Sequence, residues 1–172
     1  NDMNSTDVTE LITNPYGGSL IYCDGNDNWK KVDDKLGFPN GLYNEDNILY
    51  LATSRNQALF TYNIQTDGSL TNRKVLSTIN GLDNISPHGD DLIVAVHPNE
   101  LIFALVTFLP DIPSPSMTYA INKKTGEAKE IFSNNGKLIS ASSTALIVGE
   151  DLYLSQVYGE FILKIENYKD SK

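Results

Sequence analysis

Hydrophobic residues in this chain cluster in short runs and do not recur at the spacing of an amphipathic helix. The runs are rich in β-branched and aromatic residues, and Gly, Asn, Asp and Pro residues separate them. This pattern predicts short antiparallel strands joined by tight turns, and therefore an all-β fold. The predicted strands are ILYLAT, LFTYNI, LIVAV, LIFALVTF, TALIV, LYLSQV and FILKI, with a further strand in GGSLIYCDG.

Three segments superpose without gaps when windows begin at Asn40, Asn84 and Thr144. Seven positions later, each window carries an Asn or Asp with an acidic residue before it and Ile or Leu after it. A repeat of about 40–50 residues with four short strands is typical of a β-propeller blade. Eighteen positions into each window a second strand is expected, led by Ala58, Ile102 and Ile162.

The repeats account for about three blades, whereas propellers close with about 4–8 blades. Three blades alone would leave two sheet edges open to water, which native sheets avoid. The sequence therefore predicts that residues 1–172 form the C-terminal half of a single propeller domain, with the N-terminal half supplied as a second chain. The alternative is a β-sandwich of about seven strands, which the register of the repeats disfavours.

The composition disfavours several classes of partner. Thirteen basic residues against 22 acidic ones give the 172-residue chain a net charge of −9, so nucleic acids and anionic membranes are poor partners. Cys23 is the single cysteine and cannot form an intrachain disulfide. The run ELIFALVTFLP is shorter than the roughly 18 apolar residues of a transmembrane segment. The sequence therefore predicts neither a nucleic-acid partner nor a transmembrane segment.

The first residues give an indication of location. The chain begins with Asn1 and not with Met, so a signal or pro-segment is expected to have been removed. Asn4, Ser5 and Thr6 match the acceptor pattern for N-glycosylation. Together these features predict a protein of the secretory pathway or the extracellular space.

Four motifs in this order resemble the paraoxonase/arylesterase family. They are FPNGLY at 38–43, LDNIS at 82–86, VAVHPN at 94–99 and SASSTALIV at 140–148. The similarity runs over residues 36–166 and includes Asn1-Asp2 at the start, although Met3 stands where the family has His. The resemblance implies a six-bladed propeller with two calcium ions in its tunnel, and hydrolysis of lactones and aryl esters.

The candidate metal ligands are oxygen-bearing side chains. The repeat places Asn40 and Asn84 at matching positions of successive inner strands, with Asp83 adjacent, and calcium prefers carboxylate and amide oxygens. The resemblance implies that Asn1, Asn40, Asp83 and Asn84 bind the catalytic calcium and that Asp2 binds the structural one. The alternative is that Asn40-Gly41 forms a turn and Asp83 caps a bend.

His97 is the candidate catalytic residue, because the resemblance places it on the wall of the active site. The expected function is a calcium-dependent ester or lactone hydrolase, with the general base in the N-terminal half. The sequence contains no GxSxG, HExxH or phosphate-binding loop, so a serine-hydrolase, zinc-protease or nucleotide-binding function lacks a motif. Two alternatives are a non-catalytic propeller that calcium stabilises, and a gluconolactonase-type sugar lactonase.

Overall fold

A computed structural model describes residues 13–106, 108–109 and 111–169. The described chain is nearly all β-structure, as the hydrophobic pattern predicts. Its elements are β1 (Gly18–Cys23), β2 (Trp29–Leu36), β3 (Pro39–Glu45), β4 (Ile48–Thr53), β5 (Ala58–Ile64), β6 (Leu70–Thr78), β7 (Leu82–His88), β8 (Asp91–Val96), α1 (Glu100–Val106), β9 (Ser116–Asn122), β10 (Ala128–Asn134), β11 (Ser142–Val148), β12 (Asp151–Gln156) and β13 (Leu163–Ile165). No helix in these described ranges is both long enough and apolar enough to cross a bilayer.

The strands form four separate antiparallel sheets in chain order. The first sheet contains β1 and β2, the second runs β3-β4-β5-β6, the third runs β7-β8-β9-β10, and the fourth contains β11-β12-β13. Within each sheet, every strand pairs with the next one along the chain, which is the up-and-down connectivity of propeller blades. The first strands of the last three sheets, β3, β7 and β11, lie side by side.

Three hydrophobic clusters fill the spaces between successive sheets. The β4 strand contributes Leu51 to the cluster shared with the first sheet and Tyr50 to the cluster shared with the third. In the same way, β8 directs Leu92 and Val94 to one side and Ile93 to the other. Because these strands are buried on both faces, they read as continuous apolar runs and not as an alternating pattern. The sheets therefore stack face to face, as blades do.

An ion pair joins the second and third sheets. Glu45 is the last residue of β3, and Lys123 directly follows β9. Lys123 Nζ lies 2.6 Å from Glu45 Oε2, and Tyr43 donates a hydrogen bond to Glu45 Oε1 at 3.2 Å. The hydrogen bond from Lys123 lowers the pKa of Glu45, and the same bond raises the pKa of Lys123. The pair fixes one blade against the next at this end.

The run LIFALVTF was predicted as a strand, but residues 101–106 of it lie in helix α1, and the second strand expected after Ile102 begins at Ser116. Asn99 explains the start of the helix, because its Oδ1 accepts a hydrogen bond from the backbone N–H of Ile102 at 3.0 Å. Glu100 then lies in the first turn, where a negative charge is favourable. The prediction was wrong because a short apolar run does not distinguish a strand from a short helix.

Candidate functional site

The inner strands carry an irregularity at equivalent places. Near the beginning of β3, β7 and β11 the pairing with the following strand shifts by one residue. On β3 the shift lies between Pro39 and Leu42, and on β7 between Leu82 and Ile85. Such bulges redirect side chains and are frequent next to active sites. The bulges contain the candidate ligands Asn40, Asp83 and Asn84.

The hairpin turns give the true correspondence between repeats. Glu45 pairs with Ile48, and His88 pairs with Asp91, across two-residue turns. Asn40 and Asp83 both lie five residues before the last strand residue at the turn, so they are equivalent positions. The sequence windows had matched Asn40 with Asn84, one residue further along. The sequence windows were therefore one residue out of register between β3 and β7, although the two hairpin turns have the same length.

Asp83 and His97 form a buried pair. Asp83 is 4% exposed and His97 is 3% exposed, and His97 Nε2 lies 2.8 Å from Asp83 Oδ2. The backbone N–H of His97 also donates to Gly81 O at 2.8 Å. Gly81 has a φ of +75°, and a Cβ there would lie 1.8 Å from His97 O, so only glycine fits. The pair is thus held by both side-chain and backbone contacts.

Asn84 and Asn40 lie beside this pair. The Asn84 Nδ2 atom donates to Ser143 O at 3.0 Å and contacts Thr144 Oγ1 at 3.3 Å, which joins β7 to β11. Asn40 is half-buried, and the next residue, Gly41, is buried against β7. A Cβ on Gly41 would lie 2.4 Å from Asp83 O, so glycine permits the close approach of β3 and β7. The fold therefore brings Asn40, Asp83 and Asn84 to neighbouring positions.

The chemistry of this donor set fits a calcium ion. Asp83 has one carboxylate oxygen on His97 and a second oxygen, Oδ1, for a cation. Asn84 uses its amide nitrogen in hydrogen bonds, so its carbonyl oxygen is left as a ligand. In the described ranges no three His, Cys, Asp or Glu side chains surround a common point, so a cation here would depend on amide oxygens. Asn1 and Asp2 lie outside the described residues.

Sequence reasoning missed the residue that covers His97. The rings of His97 and Phe103 stack with centroids 3.8 Å apart and planes 19° apart. Phe103 lies on α1, and Glu100 of the same helix contacts Arg55 Nε at 3.7 Å. If the segment after His97 had been predicted as a helix, the first turn of that helix would have placed Phe103 near the histidine ring. The contact of His97 with a substrate stays a prediction.

The family profile for arylesterases matches residues 3–163 of the chain. The chain belongs to the arylesterase family. This match covers every candidate residue except Asn1 and Asp2, and it confirms the resemblance on which the metal ligands were assigned.

Other comparisons address the fold. A solved structure of a luciferin-regenerating enzyme, a β-propeller, superposes with a TM-score of 0.60 at 17% sequence identity. The alignment covers 83% of this chain and 45% of that one, so the chain spans about half the length of the neighbour. No curated protein matches the chain in sequence. The structural similarity confirms the propeller fold, and the described sheets form a part of such a propeller.

Proposed function

We propose that this arylesterase-family chain supplies the calcium site of a hydrolase that cleaves lactones or aryl esters. The observation that carries the proposal is the buried Asp83 carboxylate, which lies in a strand bulge and is bonded to His97 at 2.8 Å. Asn84 and Asn40, in bulges of adjacent inner strands, add neutral oxygen ligands. A family whose members act on esters then makes ester hydrolysis the best candidate.

The residues of this chain would hold the ion and orient the groups around it. Asp83, Asn84 and Asn40 would bind calcium through side-chain oxygens, with Asn1 and Asp2 predicted as further ligands. Calcium, when bound, supplies a Lewis acid that polarises the ester carbonyl and stabilises the oxyanion. His97 fixes the orientation of the Asp83 carboxylate, as outer partners of metal ligands commonly do. The general base that activates water is expected outside this chain.

Calcium titration and ester turnover test the proposal together. Asn84→Ala should weaken calcium binding about tenfold or more and lower the hydrolysis of phenyl acetate and simple lactones in parallel. Asn44→Ala is the matched control, because Asn44 is an exposed residue on β3. If Asn84→Ala leaves calcium affinity unchanged, the site assignment is wrong. Calcium binding without any turnover by the wild-type protein would instead favour a non-catalytic binding module.

We also propose that a second chain, the N-terminal half of the propeller, completes the ring. The first sheet has two strands and the fourth has three, and no strand among the described residues pairs with the outer edge of β13. Unpaired edges of this kind favour association with another strand. Intact mass under denaturing conditions should reveal a second polypeptide in a one-to-one ratio. A chain of this length that is monomeric and melts cooperatively alone would contradict the proposal.

The predicted location belongs to the same proposal. We propose a secretory or extracellular protein, in agreement with the acceptor pattern at Asn4, which lies outside the described residues. Secretion with a glycan at Asn4 is the expected result when the complete protein is expressed in cells that glycosylate. Mass spectrometry before and after glycosidase treatment measures it, and recovery of the protein only inside the cell would contradict it.

A further inference from the structure

Five buried polar atoms have no hydrogen-bond partner among the described residues. They are His97 Nδ1, Ser114 Oγ, Thr118 Oγ1, Asn134 Nδ2 and Ser142 Oγ. Four of their residues are almost completely buried, with exposed fractions of 3% for His97, 1% for Ser114, 0% for Thr118 and 0% for Ser142. An unsatisfied buried polar atom lowers the folding equilibrium constant by about 5- to 150-fold. Five such atoms in one domain therefore require an explanation.

The residues that carry these atoms lie at one end of the third sheet and at the start of the fourth. On the third sheet, Thr118 pairs with Ala95 of β8, and Asn134 of β10 pairs with Ser116, so these residues occupy neighbouring positions. Alternate residues of a strand lie on one face, which puts Ser116 and Thr118 on the same side as Ala120, a residue packed against the fourth sheet.

Ser116 connects the group to the neighbouring sheet. Its Oγ accepts a hydrogen bond from the backbone N–H of Ser142 at 2.9 Å and contacts Ser114 O at 3.4 Å. Ser142 begins β11, so the cluster reaches from the outer part of the third sheet to the first strand of the fourth. His97 is two residues beyond Ala95 and belongs to the same end of the sheet.

The chemistry of the cluster indicates its ligand. Hydroxyl groups both donate and accept, the amide nitrogen of Asn134 donates, and the imidazole Nδ1 takes either role according to its tautomer. None of the five atoms belongs to a carboxylate or an ammonium group, so the set offers no charge to compensate a buried ion, and a neutral ligand matches it best. Water both donates and accepts, and a buried water makes about three hydrogen bonds to such groups. About two water molecules would satisfy five atoms.

We propose that internal water is bound between the third and fourth sheets by His97 Nδ1, Ser114, Thr118, Asn134 and Ser142. The Asp83 carboxylate accepts the Nε2 proton in a hydrogen bond, so Nδ1 of the neutral ring accepts a hydrogen bond from this water. The ring is then fixed on three sides, by Asp83, by Phe103 and by water. The proposal does not depend on the enzymatic function, because it concerns only how the buried polar atoms are satisfied.

In the complete protein, the change in folding stability caused by Thr118→Val has opposite signs for a cluster with bound water and for a cluster without it. With bound water, Thr118→Val removes a ligand and lowers the folding equilibrium constant about fivefold or more, whereas Thr118→Ser retains most of it. In a dry cluster, Thr118→Val deletes an unsatisfied hydroxyl and raises the constant, which would overturn the proposal. Thr53→Val is the matched control, because Thr53 Oγ1 donates directly to Ala58 O at 2.8 Å and loses stability in either case.

Two measurements observe the water itself. Oxygen-17 magnetic relaxation dispersion should count fewer long-lived internal waters in Thr118→Val and in Ser142→Ala, and an unchanged number in Thr53→Val. A high-resolution crystal structure of the unaltered protein should contain a water oxygen within hydrogen-bond distance of His97 Nδ1 and of a cluster hydroxyl. An unchanged water count, or direct bonds between the five groups without water, would refute the proposal even if a variant fails to fold.

Discussion

Removal of the imidazole from the buried pair is the sharpest test of the site. In His97→Leu the Asp83 carboxylate, 4% exposed, loses the partner that lies 2.8 Å away. A buried acceptor left without its hydrogen-bond donor costs about 1–3 kcal/mol, and more when it is charged; the lost stacking on Phe103 adds about 0.5–1.5 kcal/mol. A domain is stable by about 5–15 kcal/mol, so the variant should lose a large share of its stability.

Equilibrium unfolding in urea, followed by far-ultraviolet circular dichroism in the absence of calcium, measures this loss. The double variant His97→Leu with Asp83→Leu should recover much of the stability, because removal of both partners leaves no buried charge. The control is His88→Leu, which alters the other histidine of the chain, half-buried at the end of β7. A loss below about 1 kcal/mol in His97→Leu, or a double variant as unstable as the sum of the single ones, would refute the reasoning.

Two further predictions concern backbone packing and surface charge. Gly41→Ala should lower both stability and calcium affinity, because the added Cβ would lie 2.4 Å from Asp83 O. Thermal melting and calcium titration measure the two effects. An unchanged melting temperature would contradict the close packing. Asp67 should titrate with a pKa of about 2, which is lowered mainly by the hydrogen bond from Ser69 and less by Lys30. The contribution of this carboxylate to stability is therefore present above pH 3.8 and is lost as the pH falls towards 2. Carboxyl carbon NMR should show a larger rise of this pKa in Ser69→Ala than in Lys30→Met, and the reverse order would contradict the assignment.

Much of the local structure was predictable because it depends on neighbouring residues. Period, turn residues and β-branched runs define where strands begin and end, so the runs that form β4, β5, β8, β11 and β12 were recognised as strands. The hairpin turns follow from the same local rules, since a tight turn needs residues such as Asp46 and Asn47, which both adopt positive φ. The family motifs then singled out the residues that lie in the strand bulges.

The sequence by itself determined an all-β chain of repeated hairpins, the family, and the types of side chain available for a metal site. It could not determine that residues 101–106 are helical, because a short apolar run is compatible with both a strand and a helix until its surroundings select one. Nor could the sequence place His97 against Asp83 and Phe103, or predict that several hydroxyl groups are buried between two sheets. These contacts join residues that are distant in the chain or that bulges and strand register bring together. Tertiary structure decided them, because packing of one blade on the next determines which polar atoms are buried together and which partners they find.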